Sequence, residues 1–228
     1  MKNLIKRIPV LFSLCKFVNF IIIEPLKTFP GSENYWKHRY KSGGSSGEGS
    51  YHKFAEFKAE VLNSFVKDKQ VKTIIEYGCG DGNQLKLSEY QSYIGFDVSS
   101  EAILQCKNIF AEDDTKIFKL MDEYDNERAE LTLSLDVVYH LIEDFVFFGY
   151  MERLFDSSTR FVIIYSSNTD KQARLQPSHI KHRNFSKWID QNKPEWKLIH
   201  HIPNRYPYSG NDLKGSFADF FIYEKYNR

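Results

Sequence analysis

Thr73-Ile-Ile-Glu-Tyr-Gly-Cys-Gly-Asp-Gly-Asn-Gln-Leu85, followed after a polar stretch by Tyr93-Ile-Gly-Phe-Asp-Val98, decides how this chain folds. Residues 71–77 are a short β-branched run that stops at Gly78-Cys79-Gly80-Asp81-Gly82, which reads as a buried parallel strand breaking into a tight turn. Glycine suits such a turn because a Cβ obstructs both positive φ and the close approach of a ligand to the backbone. The spacing predicts a helix over 81–90 whose N-terminal amides face the crevice. Asp97 ends the next apolar run, at the carboxyl edge of a second strand, where a carboxylate can take both hydroxyls of a ribose.

Two cofactor classes use this geometry. The dinucleotide fingerprint is Gly-x-Gly-x-x-Gly, with a pyrophosphate on the helix end. Here the pattern is Gly-x-Gly-x-Gly, and Glu76 stands two residues before its first glycine. A carboxylate there repels a pyrophosphate and suits the cationic sulfonium and ammonium of S-adenosylmethionine, the cofactor expected here. NAD remains the alternative, and a strand-turn-helix with no ligand is the bland one.

Glu76-Tyr-Gly-Cys-Gly-Asp-Gly82 and Gly95-Phe-Asp-Val-Ser99 resemble the first two motifs of the class I S-adenosylmethionine-dependent methyltransferases, and Ser134-Leu-Asp-Val-Val-Tyr-His-Leu-Ile-Glu-Asp144 resembles a later one. The resemblance implies an α/β, Rossmann-like doubly wound seven-stranded sheet with its last strand antiparallel and helices on both faces. It also implies cofactor contacts from Glu76, Gly78, Cys79, Gly80, Gly82, Asp97, Val98 and Leu135. Tyr35-Trp-x-x-Arg-Tyr40, the glycine-rich residues 43–50, Tyr165-Ser-Ser-Asn168 and His179-x-x-His-Arg183 are similar to a bacterial subgroup associated with surface (capsular) polysaccharide biosynthesis. Because S-adenosylmethionine is made and used inside the cell, the methyltransferase resemblance implies a cytoplasmic enzyme.

With 228 residues, 42% hydrophobic and 16% aromatic, the chain can bury a sizeable core. A net charge of +1 gives no global argument for nucleic acid. Cys15, Cys79 and Cys106 share no metal-like spacing and fit a reducing compartment. Three stretches follow: residues 1–30, basic and apolar; 31–50, ending rich in glycine and serine; and 51–228, the methyltransferase domain.

In the first stretch Lys2, Lys6, Arg7, Lys16 and Lys27 face a single acid, Glu24, around the apolar residues 8–23. The run is interrupted by Lys16 and Asn19 and is short for a spanning helix. It reads as a segment lying on the inner membrane face or on a partner, with contact through residues 1–24, or as one packed on its own domain or unstructured. Residues 43–50 read as a flexible linker or as a lid over the cofactor, with the aromatic residues Tyr35, Trp36 and Tyr40 covering the methionine end and Tyr35 and Arg39 as cofactor contacts.

Further along, Phe54, Phe57, Val61, Leu62 and Phe65 are the core stripe of a helix starting near Ser50. A helix from Ser99 or Ser100 to Phe110 turns Ile103, Leu104 and Ile109 inward, and strand 116–120 leads to Asp122, an adenine contact or merely an exposed loop acid. Strand 130–135 opens at Asp136, Tyr139 and His140 onto the switch point of the sheet. His140 is the candidate general base, with Asp136 and Tyr139 beside it, though a lone His is also commonly structural. Residues 145–155 read as a helix buried against the sheet. Strand 161–165 ends at Ser166 and Asn168, and the loop beyond carries His179, His182 and Arg183, either a site for an anionic acceptor or a solvated basic loop. Strands over 196–202 and 216–223 close the sheet, with Arg205 and Tyr206 between them on the acceptor side. No metal site is expected.

The sequence therefore points to methyl transfer from S-adenosylmethionine to an oxygen, rather than to nitrogen or carbon, of a carbohydrate or a carbohydrate-linked anionic group such as a capsule phosphoramidate. The alternatives are an NAD-dependent oxidoreductase and a non-catalytic S-adenosylmethionine-binding partner of a polysaccharide-synthesis complex.

Overall fold

The computed structural model describes residues 29–174, 176–211 and 213–226. The basic and apolar segment over 1–28, with its expected membrane or partner contact, lies outside the described residues, as does Cys15. Seven strands form one sheet: β1 (Thr73–Tyr77), β2 (Ser92–Asp97), β3 (Lys116–Leu120), β4 (Ala129–Leu135), β5 (Ser158–Ser166), β6 (Trp196–Ile202) and β7 (Asp219–Lys225), in the order β3-β2-β1-β4-β5-β7-β6. Neighbours from β3 through β5 pair in parallel. β7 runs antiparallel to both β5 and β6, as expected for the last strand.

Strand alternation builds two cores. Ile74, Phe161 and Ile163 face one layer, where they meet Phe57, Leu62 and Phe65 of α2 (His52–Lys69) and Ile103 of α3 (Ser100–Ile109). Ile75, Val162 and Ile164 face the other, against Phe147, Met151, Leu154 and Phe155 of α4 (Asp144–Asp156) and Phe185 and Ile189 of α5 (Phe185–Asn192). Helices thus cover both faces, as a parallel sheet requires. The sheet order reverses between β1 and β4, so their carboxyl ends open onto a crevice. α1 (Ser32–Lys41) lies across that opening, tied to the start of α4 by the Ser32 hydroxyl, 2.6 Å from Glu143 Oε2.

Several expectations need correction. No helix spans 81–90; only a single 3₁₀ turn, Leu85–Leu87, follows the glycines. The polar side chains here serve other segments: Asn83 donates to Ser50 O at 2.7 Å and Gln84 to Ala55 O at 3.1 Å. The expected helix dipole at the crevice is therefore absent. α2 begins at His52, after Tyr51, and Ser50 does not cap it. In α3 Ile103 is buried, but Leu104 and Ile109 point outward, because the packed face also takes Ala102 and Cys106. In α4 the helical period selects residues 147, 151, 154 and 155 for burial, which leaves Phe145 77% and Phe148 47% exposed. α5 falls in residues to which the sequence assigned no element; Asn184 caps it by accepting from Lys187 N.

Phe155 and Phe145 provide the packing test. Replacing Phe155 by Ala should cost about 3–5 kcal/mol in denaturant unfolding through the cavity it leaves. Phe145→Ala should change stability by no more than about 0.5 kcal/mol.

Candidate functional site

A cavity of about 350 Å³ occupies the crevice. Its floor is the turn after β1. Gly78 N and Cys79 N both donate to Phe96 O, at 2.7 and 3.0 Å, which fastens the turn to β2. Gly78 has φ +83, and a Cβ there would lie 2.5 Å from Val137 Cγ2. Gly80 has φ +59, and a Cβ there would lie 2.3 Å from Ser46 Oγ. Both positions therefore require glycine for conformation and for space. Gly82 also has positive φ, but a Cβ there would meet Cys106 and Phe110, so it packs the turn onto α3 rather than lining the cavity.

Two buried carboxylates flank this turn. Asp97 Oδ2 accepts from Gly80 N at 3.0 Å and Oδ1 from Ser99 N at 2.9 Å. Burial pushes its pKa up to about 6 despite those amides. Glu76 Oε2 accepts from the Tyr93 hydroxyl at 2.7 Å. Burial raises Glu76 to about 7, with the Tyr93 hydrogen bond and the Lys58 charge pulling it back. Cys79 carries a thiol raised well above its ordinary range by the neighbouring Cys106 and by burial, so it is a neutral wall of the site.

The opposite wall begins where β4 ends. Asp136 adopts φ +60, rare for a residue with a side chain, and its carboxylate is held on both oxygens. Lys58 Nζ lies 2.7 Å from Oδ2, and the Tyr139 hydroxyl donates to Oδ1 at 2.8 Å. His140 is enclosed by the rings of Trp36, Tyr139 and His179. Its Nδ1 lies 2.8 Å from His179 O, and a carbonyl only accepts, so Nδ1 carries the proton and Nε2 the lone pair. Burial lowers its pKa to about 3, so the ring is neutral near pH 7.

Residues 42–50 form a strap over the glycine turn. Asp81 Oδ2 accepts from Ser46 N at 2.9 Å and from the Tyr51 hydroxyl at 2.7 Å, while Ser46 Oγ meets the Tyr40 hydroxyl at 2.9 Å and accepts from Asp81 N at 3.1 Å. Against its own burial, those donors hold the Asp81 carboxyl below the usual range. Arg39 Nε donates to Ser45 O at 2.6 Å, so Arg39 anchors the strap and does not line the cavity.

Of the residues singled out in the sequence, Glu76, Gly78, Cys79, Gly80, Asp97 and Val98 line the cavity on the β1–β2 side, and Leu135, Asp136 and His140 on the β4 side. Tyr139 does not line the cavity but bonds Asp136, which does. Asp122 is exposed on the turn Met121–Glu123, and the neighbouring Met121 lines the cavity in its place. Tyr35 stacks on His179 at 4.6 Å, outside.

The seven residues expected on the acceptor side also lie outside. The Arg183 guanidinium donates to Leu141 O, Ile142 O and Asp144, and lies over the Phe147 ring. Arg205 forms a two-pronged pair with Glu60, 2.8 Å on each arm. Tyr206 packs edge-on to Phe54 and Phe57. Ser166 is buried with an unpartnered Oγ. Asn168 bonds Ser186 and His182 bonds Ser167, and both line a separate, open groove with Tyr208 and Phe217.

Trp36 and Tyr40 of the expected aromatic cover line the cavity, whereas Lys58, Gln84 and the α4 residues Val146, Tyr150 and Arg153, which also line it, were not expected there. Lys58 had a legible signal: it stands four residues from both Phe54 and Leu62, a cation on the apolar stripe of α2.

No family model matches this chain, and no curated protein matches it. Solved structures do. The N-methyltransferase NodS from Bradyrhizobium japonicum WM9, in complex with S-adenosyl-L-homocysteine, superposes with a TM-score of 0.65 at 13% identity, over 86% of this chain and 98% of that one. The magnesium protoporphyrin IX methyltransferase ChlM from Synechocystis PCC 6803, with bound S-adenosylmethionine, gives 0.61 at 10% identity, over 88% and 100%. The methyltransferase domain of bacterial CtHen1-C gives 0.56 at 16%, over 75% and 97%. This is the Rossmann-like methyltransferase fold. At these identities the likeness carries the fold alone, and the methyltransferase fold is found here with its carboxyl-edge crevice closed by α1 and the strap.

The raised carboxylates make a testable statement about stability. The folded chain holds the Glu76 proton more tightly than the unfolded chain does, so folding free energy declines as pH rises from about 4 through about 7. Glu76→Gln, which keeps an acceptor for Tyr93, should therefore melt above wild type near pH 8 and close to it near pH 4. A scan of melting temperature against pH measures this.

Proposed function

We propose that this protein is a methyltransferase that takes its methyl group from S-adenosylmethionine. The observation that carries the proposal is the pair of buried carboxylates, Glu76 and Asp97, set on either side of a glycine turn whose Cβ positions are blocked. The cofactor combines a sulfonium and an ammonium with a ribose diol, and these residues fit all three. Asp97 is placed for the ribose hydroxyls, Glu76 for positive charge, and Val98, Met121 and Tyr150 for an adenine ring. A pyrophosphate would meet Glu76, Asp81 and Asp97 together, which argues against a dinucleotide.

Bound there, the cofactor supplies an electrophilic methyl group. The chain's part is to hold an acceptor in line with it and to keep water out, work suited to the roof made by α1 and the strap, which we assign as a lid. A His140 ring whose conjugate acid forms near pH 3 is a weak base, so we assign its Nε2 to orienting the acceptor as a hydrogen-bond acceptor. Asp136, at the end of β4, is assigned with it to orienting the acceptor by accepting a hydrogen bond. Tyr139 and Lys58 fix its two oxygens.

For the acceptor we retain an oxygen of a carbohydrate or of a carbohydrate-linked anionic group, a reading that rests on the resemblance of Tyr35 to Tyr40 and Tyr165 to Asn168 described above. Asp136 and His140, both hydrogen-bond acceptors at the cavity wall, support an acceptor group that carries a donor hydrogen. The basic loop supports an anionic acceptor less than its composition suggested, since Arg183 is engaged within the protein. Among the described residues no helix is long and apolar enough to cross a membrane. Cytoplasmic placement, with residues 1–24 against the inner membrane face, completes the proposal.

Calorimetric titration with S-adenosylhomocysteine tests it. Wild type should bind in the micromolar range and Asp97→Asn about ten- to a hundredfold more weakly, as expected for losing hydrogen bonds to a charged acceptor. Binding of NAD in place of S-adenosylhomocysteine would overturn the reading.

A further inference from the structure

Beyond β5 the chain builds a second concavity, an open groove of about 710 Å³, within the range of about 300–1,000 Å³ usual for small-molecule sites. Tyr208, Phe217 and Phe221 give it ring surface, with Phe217 edge-on to Tyr208 at 5.9 Å. Its opposite wall is the loop after β5, and hydrogen bonds hold that loop in shape. Gln172 spans it, Nε2 donating to His182 O at 2.7 Å and Oε1 accepting from His182 N at 3.0 Å. Ser167 Oγ lies 2.6 Å from His182 Nδ1. The groove is therefore formed before any ligand arrives.

Its chemistry restricts what it can hold. Apart from histidine, the charged residues lining it are Lys171 and Asp219, one of each sign. A nucleic acid calls for a row of cations, and a purely apolar partner calls for a patch without polar groups set among the rings. Neither description fits. Among the described residues the Lys171 ammonium has no acceptor, and Asn168 gives one amide hydrogen to Ser186 Oγ at 2.7 Å and keeps the other. Asp219 accepts from Asn204 N at 2.8 Å and lies 3.0 Å from His201 Nε2, with lone pairs left over. Spare donors and acceptors thus stand around aromatic rings. A sugar ring has the matching pattern, C–H faces that lie on an aromatic ring and hydroxyls at its rim that both donate and accept.

We propose that this groove binds a saccharide, namely the units of a carbohydrate acceptor that lie beside the one to be methylated. The inference rests on the acceptor reading above and deepens it. Tyr139 is the partition between groove and cavity. Its ring meets Phe217 edge-on at 4.9 Å on the groove side, and its hydroxyl donates to Asp136 Oδ1 at 2.8 Å on the cavity side. A saccharide chain over Phe217 therefore runs along the back of the wall that carries Asp136 and His140, and the groove selects acceptors longer than one sugar.

The test uses an array of immobilised mono- and oligosaccharides, neutral and uronic acid-containing, read twice: for retention of the full chain and for methyl label transferred from S-adenosylmethionine. Wild type is compared with Lys171→Ala/Tyr208→Ala, two exposed positions outside the cavity, with melting temperature as the control for folding. Wild type should be retained on oligosaccharides and the variant at least about tenfold less, the scale of losing a hydrogen bond to a charged group and a ring contact. Label should fall similarly on the oligosaccharide and by less than about twofold on its monosaccharide. If the double variant does not fold, Lys171→Ala alone carries the comparison. Retention that is equal in wild type and variant, or absent on every saccharide, would overturn the groove, and an equal fall of label on mono- and oligosaccharide would separate it from the acceptor. The acceptor reading is decided independently: label from wild type on any saccharide sustains it, and no label on any of them removes it.

Discussion

Ile74 and Ile75 point to opposite faces of the sheet and both are buried, so neither face of β1 meets solvent and the site can form only where the chain leaves the strand's carboxyl end. Everything at the site depends on that constraint. A central parallel strand must leave the sheet through a turn, and with β2 on one side and β4 on the other the turn can only rise into the space between their ends. Phe96 O accepts two successive amides of that turn, Gly78 and Cys79, so the turn is fastened to β2 before any side chain is considered. Asp97 then follows Phe96 directly and delivers its carboxylate to Gly80 N.

The electrostatics run against stability in the same place. Glu76 and Asp97 are buried carboxylates with raised pKa values, and Asp136 holds a backbone conformation that residues with side chains seldom adopt. Each would be better served by water or by a different residue if folding alone were at stake. Lys58 offsets part of this burden by pairing with Asp136 and lowering the demand on Glu76, but one ammonium cannot neutralise three carboxylates. The residual negative charge, enclosed under α1 and the strap, is what suits the cavity to the cationic cofactor proposed above.

Fold and site were legible in the sequence to different depths, for physical reasons. The β1 turn was legible because glycine at 78 and 80 answers to local conformation, and Asp97 and Asp136 because a polar residue ending an apolar run marks a strand's carboxyl edge. The β6 span, Trp196–Ile202, agrees with the expected one. The 81–90 helix failed because Asp81, Asn83 and Gln84 bond to the strap and to α2, partners far away in sequence. Phe145 and Phe148 were assigned to the core from apolarity alone, whereas helical periodicity places them outside. The basic loop misled in another way: composition showed Arg183 as a free cation, but its guanidinium closes the carbonyls of Leu141 and Ile142 at the start of α4. Lys58 was passed over for the opposite reason: only the apolar members of the α2 stripe were considered, and the cation standing among them was left out.

The strap shows why the glycine at 80 has two duties. Toward the ligand it allows the turn; away from it, Ser46 Oγ occupies the space that a Cβ would need. Closure of residues 42–50 is therefore matched to the same backbone that forms the floor, and Asp81, the next residue, supplies the carboxylate that holds Ser46 and Tyr51 down. On the other side Gly49 packs against Asp136, where a Cβ would come within 2.7 Å of Oδ2. The strap thus touches the turn after β1 at one end and the residue after β4 at the other. It packs against both walls of the cavity, and Gly49 leaves the room that Asp136, turned toward Lys58, occupies.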